Sequence, residues 1–143
     1  MKNSVAGVSL LLLVVAALGN AQEAKSISAA SGVFTAVQAQ RGKDDYTAYC
    51  AACHGIQLTS ANDDVPGLWG VPFAYSWHGK TVAERFERIS TTMPYNDPNT
   101  LKSQQYIDIL AYILQFNGYP AGNNDLPADI RTLQRIVIEP LAK

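Results

Sequence analysis

The sequence predicts an all-α domain with long loops. Three observations lead there. Apolar residues recur at helical spacing in "SQQYIDILAYILQFNG". Two Thr-x-x-Gln/Glu sequences stand where helices would begin, at Thr35 and Thr81. No apolar–polar alternation is long enough to build a sheet, whose strands repeat every second residue.

The chain opens on "MKNSVAGVSLLLLVVAALGNAQ". Lys2 supplies a positive start, an apolar run extends from Val5 to Leu18, and Gly19-Asn20-Ala21 ends in small residues. This is the pattern of an export signal, with cleavage expected after Ala21. The run is short of the about 20 apolar residues a membrane span needs. An uncleaved N-terminal anchor is the alternative. No cysteine follows the run, which argues against a lipid anchor. Lys2 is the one charged side chain in residues 1–21, so cleavage moves the formal net charge from −1 to −2. The 122 remaining residues suit one domain. A charge so near zero excludes a nucleic-acid footprint and a polybasic membrane patch. With no second apolar run of spanning length, the mature chain is expected to be soluble and periplasmic.

Residues 22–34 are small and polar at first and read as a flexible lead-in. The first helix is expected from Thr35, where Thr35-Ala-Val-Gln38 fits a capping box, and is expected to run through "AVQAQRGKDDYTAYCAAC". Tyr46 and Cys50 then share one face, with Gly42 a turn earlier. Glycine inside a helix costs about 1 kcal/mol relative to alanine. Close approach of another helix is one reason to keep it; a tolerated surface glycine is the other. Residues 55–80 hold Pro66, Gly67, Gly70, Pro72 and Gly79 and read as a long functional loop. Thr81-Val-Ala-Glu84 opens a short helix with Val82, Phe86 and Ile89 on one face. Pro94 and Pro98 forbid its continuation. The strongest helix follows Ser103, its expected cap. Tyr106, Ile109, Leu110, Ile113 and Leu114 lie on one face, and Gly118 and Pro120 end it. Residues 121–143 read as an extension that packs back on a domain of residues 35–120, through Ile130, Leu133 and Ile136.

Both cysteines of the chain fall in "YCAACHG", and His54 follows Cys53 directly. An exported protein meets oxidising conditions in which two free thiols would pair, so the spacing needs a reason. A thioredoxin-like redox pair goes with a βαβ pattern, and no strand-like run precedes Cys50. A structural zinc site wants four ligands, and only His78 could extend the set. Covalent haem attachment is what C-x-x-C-H signals. Two thiols three positions apart on a helical turn can each add across one vinyl group, while the next residue offers imidazole to the iron. Thioether sulfurs no longer exchange, which suits the compartment.

From "RGKDDYTAYCAACHG" through "DDVPGLWG" and "TTMP" to "YIDILAYILQFNG", the chain resembles class I c-type cytochromes of the small monohaem kind. The resemblance covers roughly residues 35–118 and implies a cytochrome c-like fold, a few helices wrapped about one haem. Met/His ligation raises the haem potential and suits electron transfer. Met93 is the only methionine after the leader and lies 39 residues beyond His54 in a Pro-flanked loop. It is the expected sixth ligand, with His78 in "SWHGK" as its rival. The resemblance also implies that Pro66 offers its carbonyl to the second ring nitrogen of His54, which would fix the tautomer. Trp77 is a candidate donor to a haem propionate and Trp69 a weaker one; ordinary core packing is the alternative for both. Gly42, Tyr46, Ile109 and Tyr112 resemble the family's contact between first and last helices.

The expected site is therefore Cys50, Cys53, His54, Pro66, Trp77 and Met93, with His54 and Met93 on the metal. The expected function is one-electron transfer, not enzymatic turnover. A haem enzyme such as a small peroxidase, with an open distal position, is one alternative. A tightly bound subunit of a larger dehydrogenase is the other. The stretches "SWHGKTVAERFERISTTMPYNDP" and "YILQFNGYPAG" are similar to cytochromes that accompany quinoprotein dehydrogenases. That likeness implies such a dehydrogenase as donor, and an oxidase or another cytochrome as acceptor.

Overall fold

Six helices and three very short strands make up the fold in a computed structural model of the chain, which describes residues 25–142. The expected leader lies outside the described residues. Among the described residues, no helix is long and apolar enough to cross a membrane.

Helix α1 (Ala36–Tyr49) starts at Thr35, whose hydroxyl accepts from the Gln38 N–H. The reciprocal half of the expected capping box is not made. Gln38 is fully buried instead. Its side-chain amide donates to the Leu126 carbonyl at 2.9 Å and accepts from the Leu126 N–H at 2.7 Å. One amide thus satisfies both polar groups of a buried residue in the C-terminal segment, as a neighbouring strand would. Helix α2 (Ala51–His54) is separated from α1 by Cys50 alone, whose backbone leaves helical geometry. The single helix expected through Cys53 is broken there.

Helix α3 (Val71–Trp77) lies inside the region expected to be loop. Pro72 is near its first residue, where proline's fixed φ helps and its missing N–H costs nothing. Strand β2 (Lys80–Thr81) leads into α4 (Val82–Thr92). There the Thr81–Glu84 capping box is complete: the hydroxyl accepts from the Glu84 N–H and the carboxylate accepts from the Thr81 N–H. Helix α5 (Ser103–Phe116) buries every residue from Tyr106 to Leu114. Ser103 is its first residue and not its cap; the Gln105 side chain accepts from the Lys102 N–H in that role.

Helices α1 and α5 cross in backbone contact. A Cβ on Gly42 would sit 1.7 Å from the Asp108 carbonyl oxygen. Of the two readings of Gly42, close approach of a helix is the one the structure shows. Beside the crossing, the buried Asp108 carboxylate accepts from Arg41 Nε (2.9 Å), Gln38 Nε2 (3.0 Å) and Gln104 Nε2 (2.7 Å). A buried charge is tolerable when so paired. Arg41 also reaches Asp125 at 2.7 Å, and Asp125 accepts from the Thr35 hydroxyl. These two donors hold the Asp125 carboxyl below its ordinary range.

Residues 27–34, expected within a flexible lead-in, are built into the fold. Strand β1 (Ile27–Ser28) pairs parallel with β3 (Ile136–Ile138), and β2 pairs antiparallel on β3's other side. The sheet was not expected from sequence. Ala29 and Phe34 are fully buried; burying a phenylalanine contributes about 1.5–3 kcal/mol, and the pairing with β3 and the Gly122 N–H donated to the Phe34 carbonyl hold the segment in place beside it. Helix α6 (Ile130–Arg135) precedes β3 and buries Leu133. Leu126, Ile136 and Ile138 join the same core, while Ile130 is 45% exposed.

Candidate functional site

The two thiols and His54 are held by backbone hydrogen bonds on every side. Cys53 and His54 N–H groups donate to the Cys50 carbonyl, and the Gly55 N–H to that of Ala51. The chain reverses at Gly55, whose φ of +75° favours glycine. It then folds back, so that Ser60 and Ala61 N–H groups donate to the carbonyls of His54 and Cys53. The Tyr46 hydroxyl donates to the Gly55 carbonyl at 2.8 Å, pinning the reversal to α1. Tyr46 is itself buried against Tyr112 of α5.

Both cysteines are free thiols, Cys53 exposed and Cys50 half-buried. Burial, with Asp45 and then Cys53 adding to it, pushes the Cys50 thiol up to about 12. A reactive redox pair needs the opposite, a thiol lowered toward neutrality. His54 is buried, and its Nδ1 lies 3.0 Å from the Pro66 carbonyl. A carbonyl can only accept, so Nδ1 carries the proton and donates. Nε2 then holds the lone pair and is the nitrogen available to a metal. The Pro66 segment is fixed in turn: the Leu68 N–H donates to Leu58, and Asn117 bonds both the Leu68 carbonyl and the Gly70 N–H.

Trp77 is buried at the end of α3, stacked on Phe73 at 5.0 Å. The Arg85 guanidinium of α4 lies over its ring at 6.0 Å. Arg85 Nε is buried with no hydrogen-bond partner among the described residues, and burial lowers its pKa, against the opposing pull of Glu84 and with a smaller push from Arg88. Trp69 is half-exposed and lines a shallow cleft with Val71 and Pro72, away from this pair. His78 follows α3, its ring set edge-on to Phe73 at 5.7 Å. Met93 caps the C-terminus of α4. Its N–H donates to the Ile89 carbonyl, and its own carbonyl accepts from the Tyr106 hydroxyl at 2.9 Å. The structure thus joins His54 to Pro66 and Trp77 to Arg85. Arg85, Asn117 and Tyr106 had not been singled out for these roles; a basic residue facing the buried aromatic was the one signal available.

A family described as "Cytochrome C oxidase, cbb3-type, subunit III" matches residues 37–113, more than half of the chain. The chain belongs to this family. Its members are c-type cytochrome domains, which bind haem c covalently and transfer electrons through it, and Cys50 and Cys53 are the cysteines of that attachment motif. Among solved structures, the sulfane dehydrogenase SoxCD from Paracoccus pantotrophus is similar at TM-score 0.53 and 19% identity. The match covers 82% of this chain and 62% of that one, and it shows a shared fold. Comparison with curated proteins found no match.

The residues of this c-type cytochrome domain fit the group. Two unpaired thiols and a histidine with a free Nε2 stand together, as attachment and axial ligation need. The orphaned Arg85 Nε–H is a donor without an acceptor, and a propionate carboxylate would supply one.

Proposed function

We propose that this chain is a one-electron carrier holding a single haem c, with His54 and Met93 as its axial ligands. The observation that carries the reading is the His54–Pro66 pairing beside Cys50 and Cys53, which leaves Nε2 as the ligand nitrogen. When bound, haem supplies a one-electron iron couple. The chain's own residues do the rest. Cys50 and Cys53 would hold the haem through thioethers. Pro66 holds the His54 ring in one tautomer and raises its basicity. Trp77 and Arg85 neutralise and screen the propionates. Met93 would offer the iron a soft sulfur, which would keep substrate from the metal and leave only electrons to move.

Intact mass tests the attachment. The exported protein should weigh as residues 22–143 plus one haem, and the haem should stay with the protein in acid-acetone. Haem released into the solvent would refute covalent attachment.

The donor is proposed to be a periplasmic quinoprotein dehydrogenase and the acceptor a terminal oxidase or another cytochrome. The resemblance around "TTMP" and "FNGYP" supports this, as do the names of the matching family and of the structural neighbour, an oxidase subunit and a dehydrogenase. With a mature charge near −2, steering is weak, so reduction rates should fall only mildly as salt rises. Stopped-flow mixing with quinoproteins of the same organism reads this directly; failure of all of them to reduce the protein would dismiss the assignment. One observation favours a permanently bound subunit instead. Trp69, Val71 and Tyr75, close in sequence, are 50%, 82% and 93% exposed. Gel filtration of the native extract separates the two, as a free domain or as part of a larger enzyme.

A further inference from the structure

We propose that Tyr106 is the positioning residue for Met93: one buried hydroxyl staples both ends of the loop that carries the sixth ligand. The proposal rests on the reading of Met93 as that ligand. Residues 93–102 form the loop between α4 and α5, and residues 95–100 are all exposed. Such a segment has little packing to hold it. Tyr106, by contrast, is 1% exposed in the first turns of α5. Its hydroxyl donates to the Met93 carbonyl at 2.9 Å and accepts from the Leu101 N–H at 3.4 Å. The first residue of the loop and its next-to-last are thus joined through one oxygen atom. Among the described residues, the one other side chain that hydrogen-bonds to the backbone of this loop is Gln105, which accepts from the Lys102 N–H at the helix start and does not reach Met93.

A buried tyrosine seeks some partner for its hydroxyl in any fold. What distinguishes Tyr106 is where its partners lie and what anchors its ring. Phe86 of α4 meets the ring edge-on at 6.4 Å, so the ring is packed between α4 and α5. Helix α5 is fixed in turn by its backbone contact with α1 at Gly42, and α1 leads directly into Cys50 and His54. A rigid path therefore runs from the His54 side of the site to the Met93 backbone, and the Tyr106 hydroxyl is its last link. Met93 is gripped at both of its backbone polar groups, by Ile89 from within α4 and by Tyr106 from α5. A ligand gripped so would be held within reach of the metal, and without the staple the loop would be freer to move away.

The test uses the haem-loaded protein in its ferric form and four variants. Entry of cyanide at saturating concentration is limited by departure of the protein's own ligand, and the thioether-to-iron charge-transfer absorption reports whether sulfur is bound. Tyr106→Phe removes only the hydroxyl. It should retain the absorption and raise the limiting cyanide rate about tenfold, which corresponds to about 1.4 kcal/mol and is within what an orphaned carbonyl costs. Tyr106→para-aminophenylalanine keeps a donor at the same ring position and should return the rate toward wild type. Tyr119→Phe removes another buried hydroxyl, the one that donates to the Glu139 carbonyl; it should lower the melting temperature and leave the cyanide rate alone. If Tyr106→Phe melts earlier but admits cyanide within twofold of the wild-type rate, the hydroxyl is a structural bond only and the proposal is overturned. A wild type with no sulfur absorption, and a Met93→Ala variant no faster than it, would overturn the ligand assignment itself, a result distinct from the first.

Discussion

Met93→Ala should turn a reduced protein that ignores carbon monoxide into one that binds it readily. Carbon monoxide needs a vacant position on ferrous iron, and two protein ligands leave none. The chain has two methionines, and the other is Met1, so no thioether remains to replace the one removed. The same change should lower the reduction potential by on the order of 0.2 V, a fraction of the roughly 0.8 V range over which axial ligands move haem. Soft sulfur favours the ferrous state, and water in its place does not. The spectrum of the reduced protein before and after carbon monoxide is the measurement. Rapid binding by the wild type would mean an open iron, and the haem-enzyme reading would replace the carrier. Inertness of both proteins would assign the sixth position to His78.

What the sequence disclosed about this site was its local chemistry, because C-x-x-C-H is a contiguous signal. Met93 is proposed as a ligand on different grounds: nothing about "TTMPY" suits a core position. The helical period of α5 was legible in the spacing of Tyr106, Ile109, Leu110, Ile113 and Leu114; that the helix is buried all round, from Tyr106 to Leu114, was not. The sheet was not legible: its strands run two to three residues, too few for alternation to register. Helix α3 was hidden by Gly70 and Pro72, read as breakers although a proline at a helix start is a signal to begin. Gln38 was assigned to a cap because its spacing from Thr35 allowed it. Its true partners, Asp108 and Leu126, lie 70 and 88 positions away. Tyr106 was counted as one apolar position among five. Its hydroxyl gains a purpose only when the loop between α4 and α5 folds back over it, and no period records that.

Gly42→Ala should destabilise the protein by about 3 kcal/mol or more, a large share of the 5–15 kcal/mol typical of a domain. The sign is the informative part. In an exposed helix interior, glycine to alanine gains about 1 kcal/mol. At Gly42 the new methyl would lie 1.7 Å from the Asp108 carbonyl oxygen and 2.9 Å from the Ile109 nitrogen. Both are backbone atoms, so no side chain can swing aside, and α1 and α5 must separate by an ångström or more. Overpacking commonly costs about 1–3 kcal/mol. Here the separation also stretches the bonds from Arg41 and Gln38 to the buried Asp108 carboxylate, whose charge is expensive to leave unpaired. It loosens the Tyr46–Tyr112 contact as well, and with it the hydroxyl that pins the turn after His54. Thermal unfolding of the haem-loaded protein, followed by circular dichroism, should show the melting temperature falling by about 10 °C or more at this chain length. A melting temperature that rises would mean that the two helices do not touch backbone to backbone, and the crossing that sets Cys50 and His54 against α5 would have to be redrawn.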